Sequence, residues 1–141
     1  MDLTALADEC IALFRSEAAE KWVTIERTAD GRLEAAIVRD RIVQMLLNLM
    51  KNAVQAMPDG GVMKIELKRD GRSVRMIVSD TGVGIAPEHL GHIFEPFWTT
   101  KATGTGLGLA LCRKVAEEHG GSLTVESGIG GTVFSVALPT G

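Results

Sequence analysis

QMLLNLMKNAVQAM, residues 44–57, is the stretch whose reading decides the fold. At 100° per residue, Gln44, Asn48, Lys51, Asn52 and Gln55 fall in one narrow polar stripe, and every other position from Ile42 to Met57 is apolar or alanine. That pattern predicts a buried helix with one wet seam. Surface helices fill such seams with Glu, Lys and Arg, which favour helix, whereas each Asn gives up about 0.7 kcal/mol of propensity relative to Ala. Two Asn four apart, in a seam that also holds two Gln, indicate that carboxamides are wanted there. A carboxamide oxygen can ligate a hard cation, and its NH2 can donate to an anion, without adding negative charge. An amide-rich solvated stripe is the alternative reading of this helix alone.

Upstream of it, residues 3–20 carry Leu3, Leu6, Cys10, Leu13 and Phe14 at helical spacing, which predicts an amphipathic helix. Residues 22–27 and 33–38 read as short strands around the turn-forming Asp30-Gly31, and Asp40 stands where an N-cap belongs. Pro58-Asp59-Gly60-Gly61 ends the central helix. Downstream, Val62, Ile65 and Leu67 alternate with Lys64, Glu66 and Lys68, as a half-buried strand requires. Asp70-Gly71 marks a hairpin, and residues 74–79 return as a more apolar strand suited to the centre of a sheet. Asp80-Thr81-Gly82-Val83-Gly84-Ile85 follows directly, and Pro87 fits the first turn of a short helix running to about residue 93.

Phe94-Glu95-Pro96-Phe97-Trp98 leads into a polar loop, after which Gly104-Thr105-Gly106-Leu107-Gly108-Leu109 opens a helix with core positions Leu107, Leu111, Val115 and Ala116. His119-Gly120-Gly121 closes that helix, with a glycine placed for the left-handed cap. Residues 123–127 and 132–138 form a final hairpin. Helices and hairpins alternate without a strict strand-helix-strand rhythm. The expected fold class is therefore α+β, a two-layer sandwich of three main helices on one face of a mixed, mostly antiparallel sheet, in one domain over residues 1–141.

Composition narrows the function classes. A chain of 141 residues can bury about two-thirds of the surface its unfolded form exposes, so neither metal nor disulfide is needed to hold it. A net charge of -3 argues against a general nucleic-acid binder, and the absence of Tyr argues against a stacking platform for bases. Cys10 and Cys112 lack metal-ligand spacing and read as reduced thiols in a cytosolic setting. Acids at Asp2, Asp8 and Glu9, with no basic segment before an apolar run, give no sign of a signal peptide. Gln44, Asn48 and Lys51 interrupt the longest apolar run, so no membrane span is expected.

Three pieces ask for a ligand. Besides the amide seam, Asp80 closes an apolar strand beside two glycines that admit a flat ligand to the backbone. An acceptor-only group there suits an exocyclic amine such as that of adenine. An Asp-initiated turn is the equal alternative for that motif in isolation. Gly104 to Gly108 precede a helix and offer backbone N–H groups and the positive end of its dipole to an anion. Lys101 lies just upstream and can close over the anion, or stay solvated. The spacing fits neither a Walker loop nor a dinucleotide fingerprint.

In this order the pieces resemble the ATP-binding domain of the GHKL superfamily, which includes gyrase, heat-shock chaperones, mismatch-repair clamps and sensor histidine kinases. Asn48-Leu49-Met50-Lys51-Asn52-Ala53 resembles the superfamily's asparagine box, Asp80-Thr81-Gly82-Val83-Gly84 its first glycine box, Phe94-Glu95-Pro96-Phe97 its phenylalanine box and Gly104 to Leu109 its second glycine box. Gly131-Thr132-Val133-Phe134 is similar to the last glycine element. The run FEPFWTTKATGTGLGLALCRKVAEEHGG, residues 94–121, looks most like the nitrogen-regulation type of bacterial sensor histidine kinase.

The resemblance implies a Bergerat-type fold that takes ATP and Mg2+. Asn52 would be the magnesium ligand, Asn48 and Lys51 would line the phosphate side, and Asp80 would read adenine. Gln55, Ala56, Gly82, Gly84, Ile85 and Thr132 would complete the pocket, while Lys101 and the backbone of Gly104, Thr105, Gly106, Leu107 and Gly108 would hold the β- and γ-phosphates. Catalysis would rest on Asn48, Asn52 and Lys101. The loop before the second glycine box is shorter than in many sensor kinases and lacks their arginines, so no lid contact beyond Lys101 carries over.

Position 48 bears on the reaction that the resemblance implies. Superfamily members that hydrolyse ATP or phosphorylate serine place a Glu one helical turn before the magnesium Asn, where it activates a weak nucleophile. Asn48 cannot take that proton. Imidazole, with an ordinary pKa of about 6.5, already offers a lone pair at neutral pH. Transfer of the γ-phosphoryl group to histidine is therefore expected, driven by positioning and by charge neutralisation, with little ATP hydrolysis by the isolated chain. None of His89, His92 and His119 is followed by the acid and basic residue of a phosphorylation box. The acceptor is thus expected on a dimerisation domain outside this chain, with a response-regulator aspartate downstream. The isolated domain is expected to be cytoplasmic and monomeric, without nucleic-acid or membrane contact. A free-standing serine kinase of the anti-sigma type is the runner-up, and a nucleotide-binding module without catalysis the third reading.

Overall fold

The computed structural model describes residues 1–99 and 108–140. In chain order the elements are α1 (Leu3–Glu20), β1 (Val23–Ala29), α2 (Arg39–Gln55), β2 (Gly61–Asp70), β3 (Ser73–Asp80), α3 (Pro87–Leu90), α4 (Gly108–Glu118), β4 (Ser122–Gly128) and β5 (Gly131–Pro139). Apolar alternation in residues 61–80 becomes the β2–β3 hairpin, closed across the Asp70↔Ser73 pair by Gly71 at φ +63°, where a side chain would be strained. The five strands run in the order β1-β2-β3-β5-β4, parallel between β1 and β2 and antiparallel elsewhere. The expected α+β class, with helices on a mixed and mostly antiparallel sheet, is borne out.

The inner face of the sheet is set by the period of two. Along β3, Val74, Met76, Val78 and Asp80 are buried and their neighbours are half-exposed, so Asp80 is the last inward residue of a central strand. Onto Met63, Ile65, Leu67 and Met76 packs the apolar face of α2, with Ile42, Met45, Leu46, Leu49 and Met50 all 0 % exposed. Each such side chain contributes about 1.5–3 kcal/mol by leaving water. Methionine is well suited to this layer, because an unbranched thioether fills the irregular gap between a straight helix and a twisted sheet. Helix α2 packs against both α1 and α4. Exposed ion pairs, Arg39–Glu9 at 2.6 Å and Arg41–Glu118, join it to each neighbour and contribute little beyond register.

Several expectations are corrected. Residues 33–38 form no strand: Glu34 makes an isolated bridge with Asp2, and Leu3 N–H and Ala35 N–H bond to Leu33 and Met1 carbonyls at 2.8 and 3.0 Å. The reason is topological, since β1 pairs in parallel with β2 and its return path is the α2 crossover rather than a hairpin. Asp40 is not the N-cap. Helix α2 begins at Arg39 behind Val38, whose N–H donates to His119 Nε2 at 3.0 Å, leaving Asp40 in the first turn, where a carboxylate complements the dipole. His119 also meets the Val115 carbonyl through Nδ1 at 2.7 Å, so one imidazole finishes α4 and starts α2. Leu13 is 72 % exposed, and Ile11 and Ala18 take the buried stripe of α1 instead. Helix α3 stops at Leu90 rather than near residue 93. On α4, Val115 and Ala116 are buried as expected, Leu111 is only half-buried and Cys112 fills the core, its Sγ 3.5 Å from the Met45 carbonyl. Leu107 lies outside the described residues. Among the described residues no helix is long and apolar enough to cross a membrane.

Candidate functional site

Because Asp80 ends β3 on the inner face, its carboxylate lies under the C-terminal half of α2 rather than in solvent. Register pairs it with Thr132 of β5, and the two are 9 % and 3 % exposed in an otherwise apolar layer. Burial pushes the Asp80 carboxyl above its ordinary 3.8, and backbone N–H groups of Gly82 and Thr132 pull it partway back. The Gly82 N–H reaches Asp80 Oδ1 at 2.9 Å.

Above this pair opens a cavity of about 390 Å³, within the range of ligand pockets. Ten of the residues singled out in the sequence line it together: Asn48, Lys51, Asn52, Gln55 and Ala56 from α2, Asp80 and Thr132 from the sheet, Gly84 and Ile85 from the loop after β3, and Gly108 from the start of α4. The seam of α2 is thus turned toward the one buried carboxylate of the sheet. Gly82 is not on the lining. It acts from behind, because a Cβ there would lie 2.2 Å from the Ala56 carbonyl oxygen, and the next residue, Val83, donates its N–H to that same oxygen at 2.9 Å. Gly108 brings the first turn of α4 against Asn48, the Oδ1 of which lies 3.5 Å from where a Cβ would stand. Lys101, Gly104, Thr105, Gly106 and Leu107 lie outside the described residues.

The cavity also has a wall that sequence reasoning did not place, including Val83, Ala86, His89, Ile93, Trp98, Thr99, Leu109 and Phe134. Phe134 was within reach, being the next inward residue after Thr132 on β5. Trp98 closes the aromatic-rich run Phe94-Glu95-Pro96-Phe97-Trp98. Its ring meets His89 edge-on at 5.2 Å between centroids and stacks on His92 at 6.4 Å. His92 is exposed and pairs with Glu95 at 3.1 Å, whereas His89 is half-buried and faces the cavity.

A second, open groove of about 1110 Å³ shares Asn48 and Gly108 with the cavity and runs along Phe94, Leu111, Arg113 and Lys114. Arg113 lies over the Phe94 ring at 5.4 Å. Cys10 and Cys112 are free thiols pushed by burial up to about 11 and about 12, far from a reactive thiolate.

Chemically, the cavity offers one buried acceptor for an amino group, carboxamides and an ammonium for an anion, and the N-terminus of an 11-residue helix. Among the described residues no cluster of three His, Cys, Asp or Glu could hold a metal by itself. A single carboxamide oxygen such as that of Asn52 suits a hard cation that arrives with phosphate oxygens, as magnesium does.

Residues 37–141 match the family described as histidine kinase-, DNA gyrase B-, and HSP90-like ATPase. The chain belongs to that family and, within it, to the catalytic domains of sensor histidine kinases. It is similar to the catalytic domain of histidine kinase ThkA in nucleotide-free form, with 37% identity and a TM-score of 0.89, covering 99% of this chain and 93% of that one. Histidine kinase ThkA in complex with response regulator protein TrrA is similar at 34% identity and a TM-score of 0.84, with 100% and 41% covered. Sensor histidine kinase ZraS of Escherichia coli strain K12 is 40% identical over 141 residues, which is 99% of this chain and 30% of ZraS. The chain therefore spans under a third of that relative's length.

Proposed function

We propose that this chain binds Mg-ATP and transfers the γ-phosphoryl group to a histidine on a separate dimerisation domain, as the catalytic domain of a two-component sensor kinase. The observation that carries this reading is the composition of the cavity. Its only carboxylate among the described lining residues is Asp80, and Asn48 stands one turn before Asn52, where a hydrolase or serine kinase needs a base. A site without that base suits an acceptor that needs no deprotonation, and imidazole is one.

Each residue then has a task. The Asp80 carboxylate accepts from the adenine amino group, with the Thr132 hydroxyl beside it. Gln55, Ala56, Gly84 and Ile85 bound the base and sugar. Lys51 and the carboxamide of Asn48 orient the phosphates, aided by N–H groups at the start of α4, including Gly108. Asn52 would hold magnesium through its carboxamide oxygen, and the ion, when bound, would neutralise charge on the phosphate tail. Resemblance supports the same charge-neutralising role for Lys101 and phosphate contacts from Gly104, Thr105, Gly106 and Leu107. The open groove that shares Asn48 and Gly108 gives an acceptor helix a path to the phosphate end.

The finer assignments belong to this proposal too. Residues 1–141 form one catalytic domain of the nitrogen-regulation type, monomeric in isolation, with the acceptor histidine elsewhere in the same kinase. A response regulator receives the phosphoryl group afterwards, in keeping with the ThkA–TrrA complex. Two free buried thiols fit a cytoplasmic setting, and neither nucleic acid nor membrane is a partner of this domain. The test is a labelled-ATP assay with histidine-bearing dimerisation fragments presented in trans. Acid-labile label on the fragment is expected. Acid-stable phosphoserine would favour the serine kinase, and Mg-ATP binding with no transfer to any fragment would favour a binding module.

A further inference from the structure

The walls of the cavity come from segments distant in the chain, and one hydroxyl joins two of them. Ser127 lies on β4 opposite Thr132. Its Oγ accepts the Ile85 N–H at 2.7 Å, lies 2.8 Å from Thr132 Oγ1 and lies 3.3 Å from the Gly131 carbonyl. Ile85 and Thr132 both line the cavity, while Ser127 stands behind them. The loop between Asp80 and Ile85 has a matching tie on its other side, where Val83 N–H meets the Ala56 carbonyl. Between the two ties the loop lies hard against the hairpin, since a Cβ on Gly84 would stand 2.4 Å from the Gly128 carbonyl oxygen.

Proton counting gives the hydroxyl a direction. A serine oxygen has two lone pairs and one proton. All three contacts are satisfied at once when Ser127 accepts from Ile85 N–H and from the Thr132 hydroxyl and donates to the Gly131 carbonyl. The Thr132 proton is then committed away from the cavity, and the lone pairs of its oxygen remain for a donor beside the Asp80 carboxylate. Two acceptors side by side favour a purine that carries an exocyclic amino group over one that carries an oxo group.

We propose that Ser127 is a positioning residue for base recognition, anchoring the loop from Gly82 to Ile85 to the hairpin and turning the Thr132 hydroxyl so that it accepts rather than donates. This rests on the cavity being the nucleotide site. The experiment is calorimetric titration of the 141-residue chain with Mg-ADP and Mg-IDP, for the unmodified protein, Ser127→Ala and Ser127→Thr, with nucleotide-free melting curves alongside. Ser127→Ala is expected to weaken ADP binding about tenfold and to narrow the preference for ADP over IDP, because the freed Thr132 proton can now face an oxo group. Ser127→Thr restores both. Unchanged ADP affinity, an equal loss for ADP and IDP, or failure of threonine to rescue each overturns the proposal. If the alanine variant does not fold, Ser127→Cys keeps the shape with a much weaker acceptor and is held to the same outcomes. Failure of the unmodified chain to bind either nucleotide overturns the nucleotide reading itself, a result distinct from intact binding by the variants.

Discussion

Asp80 shows how one residue's position in a pleat becomes chemistry. Its place was legible because alternation along β3 fixes every second side chain, whereas the part played by Gly82 was not, since nothing in the local pattern announces the Ala56 carbonyl behind it. A carboxyl whose folded value lies above its unfolded one takes up protons more readily when folded, so its contribution to stability falls as pH rises through that window. In the nucleotide-free chain, the stability of the unmodified protein relative to Asp80→Asn is therefore expected to decline as pH rises from 3.8 upward through the carboxylate range, measured by denaturant titration. A flat difference would contradict the burial argument. Asn48→Glu tests the missing base: phosphate release from saturating Mg-ATP by the isolated chain should rise about a hundredfold, the low end of what a positioned base contributes.

At the scale of elements, the body of α2 was readable because its apolar and amide positions follow one helical period, and burial follows that division. Residues 33–38 were not readable. Their alternation satisfies a hairpin or a crossover linker equally, and only the parallel pairing of β1 with β2 decides between them. The start of α2 was missed for a related reason, because the partner that takes the Val38 N–H is His119, distant in sequence. Leu49→Ala, at a wholly buried position of α2, is expected to cost about 2–5 kcal/mol in urea unfolding. Gln55→Ala, on the exposed seam of the same helix, is expected to change stability by under about 0.5 kcal/mol. Similar costs for the two variants would contradict the placement of the seam.

Across the whole molecule, three helices from separate parts of the chain close one face of the sheet, and the cavity opens where α2, the loop after β3 and the start of α4 meet. Motif order was enough to assemble its amide-and-acid half. The half bearing His89 and Trp98 escaped because ring packing between segments leaves no periodic trace. Cys10 and Cys112, in α1 and α4, report on global opening: thiol labelling of the native chain near neutral pH is expected to proceed no faster than unfolding, since burial holds both near or above about 11. The most direct test of the central claim is the affinity of Asn52→Ala for ATP, titrated with and without magnesium. A weakening of about tenfold or more that appears only when magnesium is present is predicted, and equal affinity of the variant and the unmodified chain for Mg-ATP would contradict the account.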